Sequence, residues 1–158
     1  MRKDSRGFSL IELLIVVAII LIIAAIAIPN LLRSRIAANQ ASAVGSLRTI
    51  NTSEITYAST FNTGFSTDLL SLGPGATPPT ASAAGLLDSV LAGGSKSGYT
   101  FAYLAGTPDV TGRINTYTVT ASPISTSTGT NYYFTDESGV IRQNTTGTAT
   151  VADSPLAG

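Results

Sequence analysis

The chain begins with a long apolar segment. From Leu13 to Leu32, twenty consecutive residues carry no charge. A helix of that length spans about 30 Å, which is enough to cross the hydrocarbon core of a bilayer. The pattern predicts a helix that is apolar on all sides, and such a helix has to be buried in lipid or among other chains.

The segment that follows is more polar but keeps a helical period. Apolar residues recur at steps of three, four or seven, and Glu54 interrupts their stripe. No proline occurs over residues 30–73, and Gly64 offers a stop signal. We therefore predict one helix over Phe8–Phe61, roughly 81 Å long. Its first half is expected to protrude as an apolar rod, and its second half to pack on a head through Ile36, Ala43, Val44, Leu47, Ile50, Tyr57, Ala58 and Phe61.

The pattern changes again in the second half of the chain. Residues 64–97 are rich in Gly, Pro, Ser, Thr and Ala, and the spacing of their leucines predicts a short helix near residues 82–92. From Gly98 onward, apolar and polar residues alternate as in half-buried strands, with Asp136–Gly139 as a hairpin loop. The predicted strands cover residues 99–104, 116–121, 132–135 and 140–142.

These elements define an α+β fold: a long N-terminal α-helix whose amphipathic half packs on a small antiparallel β-sheet head. Three aromatic residues spaced four apart, Tyr57, Phe61 and Phe65, are interpreted as part of the core between helix and sheet. The tail after Gln143 is rich in Thr, Gly and Ala, and we expect it to be loosely ordered or held by neighbouring subunits.

Composition narrows the possible functions. The chain has no His and no Cys, which excludes an imidazole base, a thiol nucleophile, a zinc–thiolate site and a disulfide. Nine basic residues form no long run, so no nucleic-acid site is evident. We predict no catalytic residue, no cofactor and no metal site. Asp136 and Glu137 are considered as calcium ligands, but calcium usually takes six or more oxygens, and two carboxylates in a turn are typical of a solvated hairpin tip.

The lone carboxylate of Glu12, at the entrance to the apolar segment, is the strongest chemical signal. A charge inside a bilayer costs about 2.5–3.5 kcal/mol on insertion scales, so it needs a partner. An ordinary signal peptide cut after Ala25-Ile26-Ala27 leaves Glu12 unexplained, and so does a plain membrane anchor. Cleavage between Gly7 and Phe8 would create an ammonium on Phe8, four residues from Glu12 on the same helix face. That ammonium can pair with Glu12 of its own chain or of a neighbouring one.

The run around this carboxylate resembles the prepilin cleavage and methylation motif of type IV pilins and type II secretion pseudopilins. It reads Gly7-Phe8-Ser9-Leu10-Ile11-Glu12-Leu13-Leu14. The resemblance implies that a prepilin peptidase cuts after Gly7 and methylates the amine of Phe8, and that Glu12 guides subunit assembly. Pro29 stands where these families carry a helix-kinking proline. Many pilins also have a glycine between the glutamate and the proline, but this chain has none over residues 13–28.

The resemblance, closest to a type IVa major pilin, also implies partners and locations. The subunit would polymerise with copies of itself, with help from inner-membrane assembly machinery and an outer-membrane secretin. Its precursor would sit in the inner membrane with a cytoplasmic N-terminus, and the product would be an extracellular pilus. The expected organisation is a leader (1–7), a membrane and filament-core half-helix (8–32), an amphipathic half-helix (33–63), a connector (64–97), a sheet head (98–143) and a tail (144–158).

Two alternatives stay open. One is a type II secretion pseudopilin that forms a short periplasmic filament. The other is a membrane-anchored periplasmic binding module, for which Glu12 would be dispensable. Asn51 and Asn144 each match the pattern of an N-glycosylation acceptor, a pattern that also arises often by chance.

Overall fold

The computed structural model describes residues 7–75 and 77–156. The chain divides into two compact units, Met1–Arg35 and Ile36–Gly158. Because the described residues begin at Gly7, the predicted leader over residues 1–7 lies outside them except at Gly7. The predicted α+β class is confirmed, with a long N-terminal helix and a five-stranded antiparallel sheet.

Helix α1 covers Leu10–Phe61 and contains Pro29. It starts two residues later than predicted, because Gly7, Phe8 and Ser9 are not helical. It ends at the predicted residue, after which Asn62 and Gly64 adopt left-handed backbone with φ values of 56° and 82°. The Gly64 position is closed to larger residues, since a Cβ there would lie 2.1 Å from the carbonyl oxygen of Ile114.

The sheet is a simple meander in which each strand pairs with the next along the chain. Its strands are β1 (Ser95–Lys96), β2 (Tyr99–Ala105), β3 (Tyr117–Pro123), β4 (Tyr132–Asp136) and β5 (Arg142–Asn144). The two-residue strand β1 was not predicted, because Ser95 and Lys96 carry no alternating pattern. The last strand was predicted at residues 140–142 and begins instead at Arg142.

One face of α1 and one face of the sheet form the core of the second unit. Leu47 and Ile50 are fully buried on the helix, and Tyr99, Val119 and Ala121 are fully buried on the strands. Burying a leucine, isoleucine or valine side chain contributes about 1.5–3 kcal/mol to the stability of the fold. The predicted stripe on the second half of α1 therefore includes much of the helix side of this core.

The connector contains less helix than predicted. Instead of a helix near residues 82–92, helix α2 covers only Ser89–Ala92, with Asp88 accepting from the backbone N–H groups of Val90 and Leu91 as the N-cap. The N–H groups of Leu86 and Leu87 both donate to the carbonyl oxygen of Leu72, each at 2.8 Å. Tertiary hydrogen bonds thus occupy backbone donors that the predicted helix would have needed.

The C-terminal segment is folded onto the sheet, which corrects the expectation of a loose tail. The N–H of Gln143 donates to the carbonyl oxygen of Ser154 at 3.1 Å, and the N–H of Leu156 donates to that of Ile141 at 2.8 Å. Ala149 is buried. These contacts cover the outer edge of β5.

Candidate processing and assembly site

The bond predicted to be cut lies in an exposed, non-helical segment. Gly7, Phe8 and Ser9 precede helix α1, and the Phe8 side chain is 84% exposed. A Cβ added at Gly7 would meet no atom of a described residue within 4 Å. The fold therefore does not require glycine at position 7, and any requirement for it has to come from a partner that binds this segment.

Glu12 contacts the start of its own helix. Its Oε2 accepts from the backbone N–H of Ser9 at 2.9 Å. Serine followed three residues later by glutamate is the sequence pattern of a capping box, and this bond is the glutamate half of that arrangement. The helix dipole also favours a carboxylate in the first turn. This role of Glu12 was not predicted, although Ser9, three residues earlier, is the signal for it.

The first part of α1 has no protein partner among the described residues. Every Leu, Ile and Val over residues 10–32 keeps at least 45% of its surface exposed, the lowest being Val17. The most apolar 18-residue window of α1 has a mean hydropathy of 3.3 and is 0% buried, so length and composition suit a membrane span. Fully burying one such aliphatic side chain is favourable by about 1.5–3 kcal/mol. A surface made of many of them therefore requires lipid or other chains around it.

Pro29 lies inside α1, and residues on both sides of it are helical. A proline in a helix interior cannot donate to the carbonyl four residues earlier, and its ring crowds that carbonyl. The carbonyl of Ala25 therefore lacks the donor that a non-proline residue at position 29 would supply. The kink predicted at Pro29 stays a prediction.

A second carboxylate, Glu54, is completely buried. Its Oε2 accepts from the N–H of Ser66 at 2.9 Å, and its Oε1 accepts from the Ser66 hydroxyl at 2.6 Å. Tyr103 donates to the carbonyl oxygen of the same serine at 3.0 Å. Burial raises the pKa of Glu54 above its usual range, against the hydrogen bonds from Ser66, which lower it. The sequence showed only a carboxylate interrupting an apolar stripe.

The two asparagines that match the N-glycosylation pattern both use their side-chain amides in hydrogen bonds within the fold. The amide of Asn51 is buried and donates to Thr135 at 2.9 Å, while Tyr117 donates to its oxygen at 3.0 Å. The amide of Asn144 donates to Asp153 at 2.9 Å. Both amides therefore already have hydrogen-bond partners within the fold.

The structure also gives the positions of the predicted aromatic residues, of the hairpin loop and of the carboxylates considered as metal ligands. The three aromatic residues lie at the core, as predicted: Tyr57 is buried, and Phe61 and Phe65 are partly buried against the core. Tyr57 packs on Phe61 with ring centroids 4.9 Å apart, and Phe65 packs on Tyr117 at 4.8 Å. Asp136 accepts from the backbone N–H of Ser138 at 3.0 Å and so closes the hairpin turn. Within residues 7–75 and 77–156, no three Asp or Glu side chains cluster as metal ligands would.

Comparison with known proteins identifies the N-terminal segment. Residues 2–28 match the family of the prokaryotic N-terminal methylation motif. Over 37 residues, 23% of this chain, the sequence is 62% identical to the type IV wide pilus major component PilA4 of Thermus thermophilus. Over 55 residues, 35% of this chain, it is 47% identical to the type IV major pilin protein PilA of Myxococcus xanthus.

These matches cover 28% and 25% of the length of the two relatives. No solved structure is significantly similar to the chain. The predicted resemblance is confirmed at the N-terminus: the chain carries the prokaryotic N-terminal methylation motif and is similar there to two type IV major pilin proteins, and this segment is joined to an α+β fold with one long N-terminal helix.

Proposed function

We propose that this chain is the structural subunit of a type IV pilus-like extracellular filament. A prepilin peptidase cuts it after Gly7 and methylates the amine of Phe8, and it then polymerises through the first part of α1. The observation that carries the proposal is the methylation motif joined to an apolar helix that no described residue covers.

Cleavage gives Glu12 a partner of opposite charge. The backbone nitrogen of Ser9 is already 2.9 Å from Glu12 Oε2, and the ammonium formed on Phe8 would belong to the residue just before Ser9. In a neighbouring copy, the same ammonium would fix the axial register between two helices, because an unpaired buried charge is expensive. Cutting the chain therefore controls when assembly begins.

The chain serves as substrate and building block in this proposal, and it catalyses no reaction itself. Its partners are other copies of the chain, the prepilin peptidase, inner-membrane assembly machinery and an outer-membrane secretin. Before assembly, α1 crosses the inner membrane with a cytoplasmic N-terminus, and afterwards the subunit is part of a surface pilus. Lipid covers the apolar helix in the first state and neighbouring helices cover it in the second.

Electron microscopy of wild-type and deletion cells tests the proposal. We expect long surface filaments on the wild type and their loss in the deletion strain, with restoration when the gene is supplied again. Loss of protein secretion with no change in surface filaments would contradict the pilus and indicate a pseudopilin instead. Labelling of intact filaments with an antibody against the chain separates a subunit from a factor needed for assembly.

A further inference from the structure

The second unit exposes a charged and apolar strip of α1, formed by Arg48, Thr52 and Ile55, which we call the Arg48 strip. These residues stand four and three apart and so share one helix face. Ile55 is 67% exposed. A groove of about 420 Å³ runs beside the strip, lined by Arg48, Thr49, Thr52, Ser53, Thr56 and Leu86.

The threonines along this groove do not need an outside hydrogen-bond partner. Their hydroxyls donate to backbone carbonyls four residues earlier in α1: Thr49 to Gly45 at 3.0 Å, Thr52 to Arg48 at 3.0 Å, and Thr56 to Thr52 at 2.9 Å. With their hydroxyls engaged in this way, these side chains offer mainly methyl surface. The guanidinium of Arg48 is the one strongly polar group of the strip.

Arg48 also stands apart from the other cations of its unit. Lys96 pairs with Asp88 at 2.9 Å, Arg113 donates to Asn62, and Arg142 donates to the carbonyl oxygen of Asp153. The side chain of Arg48 makes no hydrogen bond or ion pair with any residue over 36–75 and 77–156. It is exposed and pairs with no carboxylate among the described residues.

One carboxylate of the same unit also lacks a hydrogen-bond partner among the described residues, and its charge is opposite to that of Arg48. Glu137 lies exposed in the β4–β5 hairpin loop, and its side chain makes no hydrogen bond to a described residue. The other described carboxylates of the unit all accept hydrogen bonds within it: Glu54, Asp68, Asp88, Asp109, Asp136 and Asp153. Within the described part of the unit, Arg48 and Glu137 are thus the two charges left over, and they have opposite signs.

Arg48 and Glu137 do not form an ion pair with each other within one copy. The hairpin loop is held beside α1 because Asn51 donates to the carbonyl oxygen of Gly139 at 3.3 Å, yet the only ion pair within 4.0 Å among the described residues joins Lys96 and Asp88. Each copy therefore offers one donor surface and one acceptor surface. A contact between different surfaces of identical chains repeats from copy to copy, and it builds an open helical array when the rotation does not close.

We propose that Glu137 of one copy pairs with Arg48 of a neighbouring copy, so that the hairpin loop docks on the Arg48 strip and covers Ile55. The occupant of this strip is a second copy of the chain, chosen by charge complementarity. The pair rests on the proposed function, in which the chain polymerises, and it adds a contact between heads to the packing of the N-terminal helices.

Charge reversal tests the pair. In cells that lack the native gene, Arg48→Glu and Glu137→Arg are expressed singly, as a double variant in one chain, and as a mixture of the two single variants. We expect each single variant to lower the yield of sheared filaments about fivefold or more, since a surface pair is worth up to about 1 kcal/mol and reversal adds repulsion. Arg48→Gln and Glu137→Gln, which remove charge without reversing it, should cause smaller losses.

The mixture decides whether the pair lies between copies. A chain with Arg48→Glu presents two acidic surfaces and a chain with Glu137→Arg presents two basic ones, so alternating copies restore every contact and the yield should return. Recovery in the double variant but not in the mixture would place the pair within one copy and overturn the proposal, as would unchanged yields from both single variants. If the wild type itself makes no filament, the proposed function fails; if only the reversals are silent, the head contact alone fails.

Discussion

Glu12 caps its own helix, and under the proposed function it would also pair with the new N-terminus. In the uncut chain, Glu12 accepts from the Ser9 N–H at 2.9 Å and completes the first turn of α1. After the proposed cleavage, an ammonium would stand one residue away. The capping bond keeps the carboxylate at the helix terminus, so the partner created by cleavage meets a charge that is already in position.

Substitutions at Glu12 separate the charge from the cap. We expect Glu12→Ala to insert into the membrane but to assemble few filaments, because it removes both the charge and the acceptor for Ser9. Glu12→Gln keeps an acceptor but carries no charge, and we expect it to assemble as poorly as the alanine variant. The measurement is filament yield per amount of membrane-inserted precursor. Normal yield from Glu12→Gln would assign the role to capping and contradict the ion pair.

Glu54 belongs to the fold of the second unit. The carboxylate ties α1 to Ser66 at the start of the connector, and Tyr103 on β2 contacts the same serine. The sequence located Glu54 on an apolar stripe but could not show which donors would face it, since Ser66 is brought there by the turn at Gly64. Burial raises the pKa of this carboxyl, so the folded chain binds the proton more tightly than the unfolded chain does.

The stability of the protein should therefore depend on pH through Glu54. Its contribution to the free energy of unfolding is complete below the ordinary pKa of 4.5 and is lost as the pH rises through the raised value of the folded state. We expect Glu54→Gln to flatten this part of the pH profile, measured by urea unfolding of the full chain in detergent. Glu137→Gln, which removes an exposed carboxylate, is the matched control and should leave the Glu54 slope in place. An unchanged slope in Glu54→Gln would show that another group titrates.

At the scale of elements, the sequence predicted those that carry a strong period. The uncharged run and the stripe that follows it gave α1 as one helix ending at Phe61, and alternation gave β2, β3 and β4. Predictions from local sequence patterns were wrong where long-range hydrogen bonds determine the conformation of the backbone. Leu72 takes the donors that a helix near residues 82–92 would use, and next to β5 the carbonyl of Ile141 accepts from the N–H of Leu156 in the C-terminal segment.

The C-terminal segment is the element that composition predicted least well. A Thr-, Gly- and Ala-rich stretch suggested loose order, yet Ser154 and Leu156 pair with the backbone beside and within β5. The Arg142 guanidinium adds a bond to the carbonyl oxygen of Asp153 at 3.0 Å. These bonds close the sheet edge in a chain that has no cysteine to form a disulfide.

Removal of this segment should weaken the sheet. For a chain that ends after Ala152, we expect the free energy of unfolding to fall by about 2 kcal/mol or more, because the backbone hydrogen bonds beside β5 and the hydrogen bonds of Asp153 are lost and the edge of β5 is exposed. Amide hydrogen exchange at Gln143 should rise along with the loss of stability. A chain shortened only by residues 157–158 is the control. Equal stability of the two shortened chains would show that the pairing with β5 contributes little.

At the scale of the whole molecule, the two units would supply different parts of the proposed polymer. The first offers an apolar helix that no described residue covers, and the second offers a folded core with two surface charges that pair with no described residue. Helix packing would supply most of the apolar burial, whereas the charges at Arg48 and Glu137 would select the arrangement of the heads. The sequence could predict the first part from hydropathy alone. The second required the structure, since it depends on which charges find partners within one copy.

The most direct test of the proposed function is the N-terminal sequence and mass of the subunit in filaments sheared from the cell surface. The account predicts a chain that begins at Phe8 with a methyl group on its amine, the chemical product that gives Glu12 its partner. A start at Ile28 would indicate an ordinary signal peptide, and a start at Met1 or Arg2 a plain membrane anchor. Either of those results would contradict processing at the Gly7–Phe8 bond.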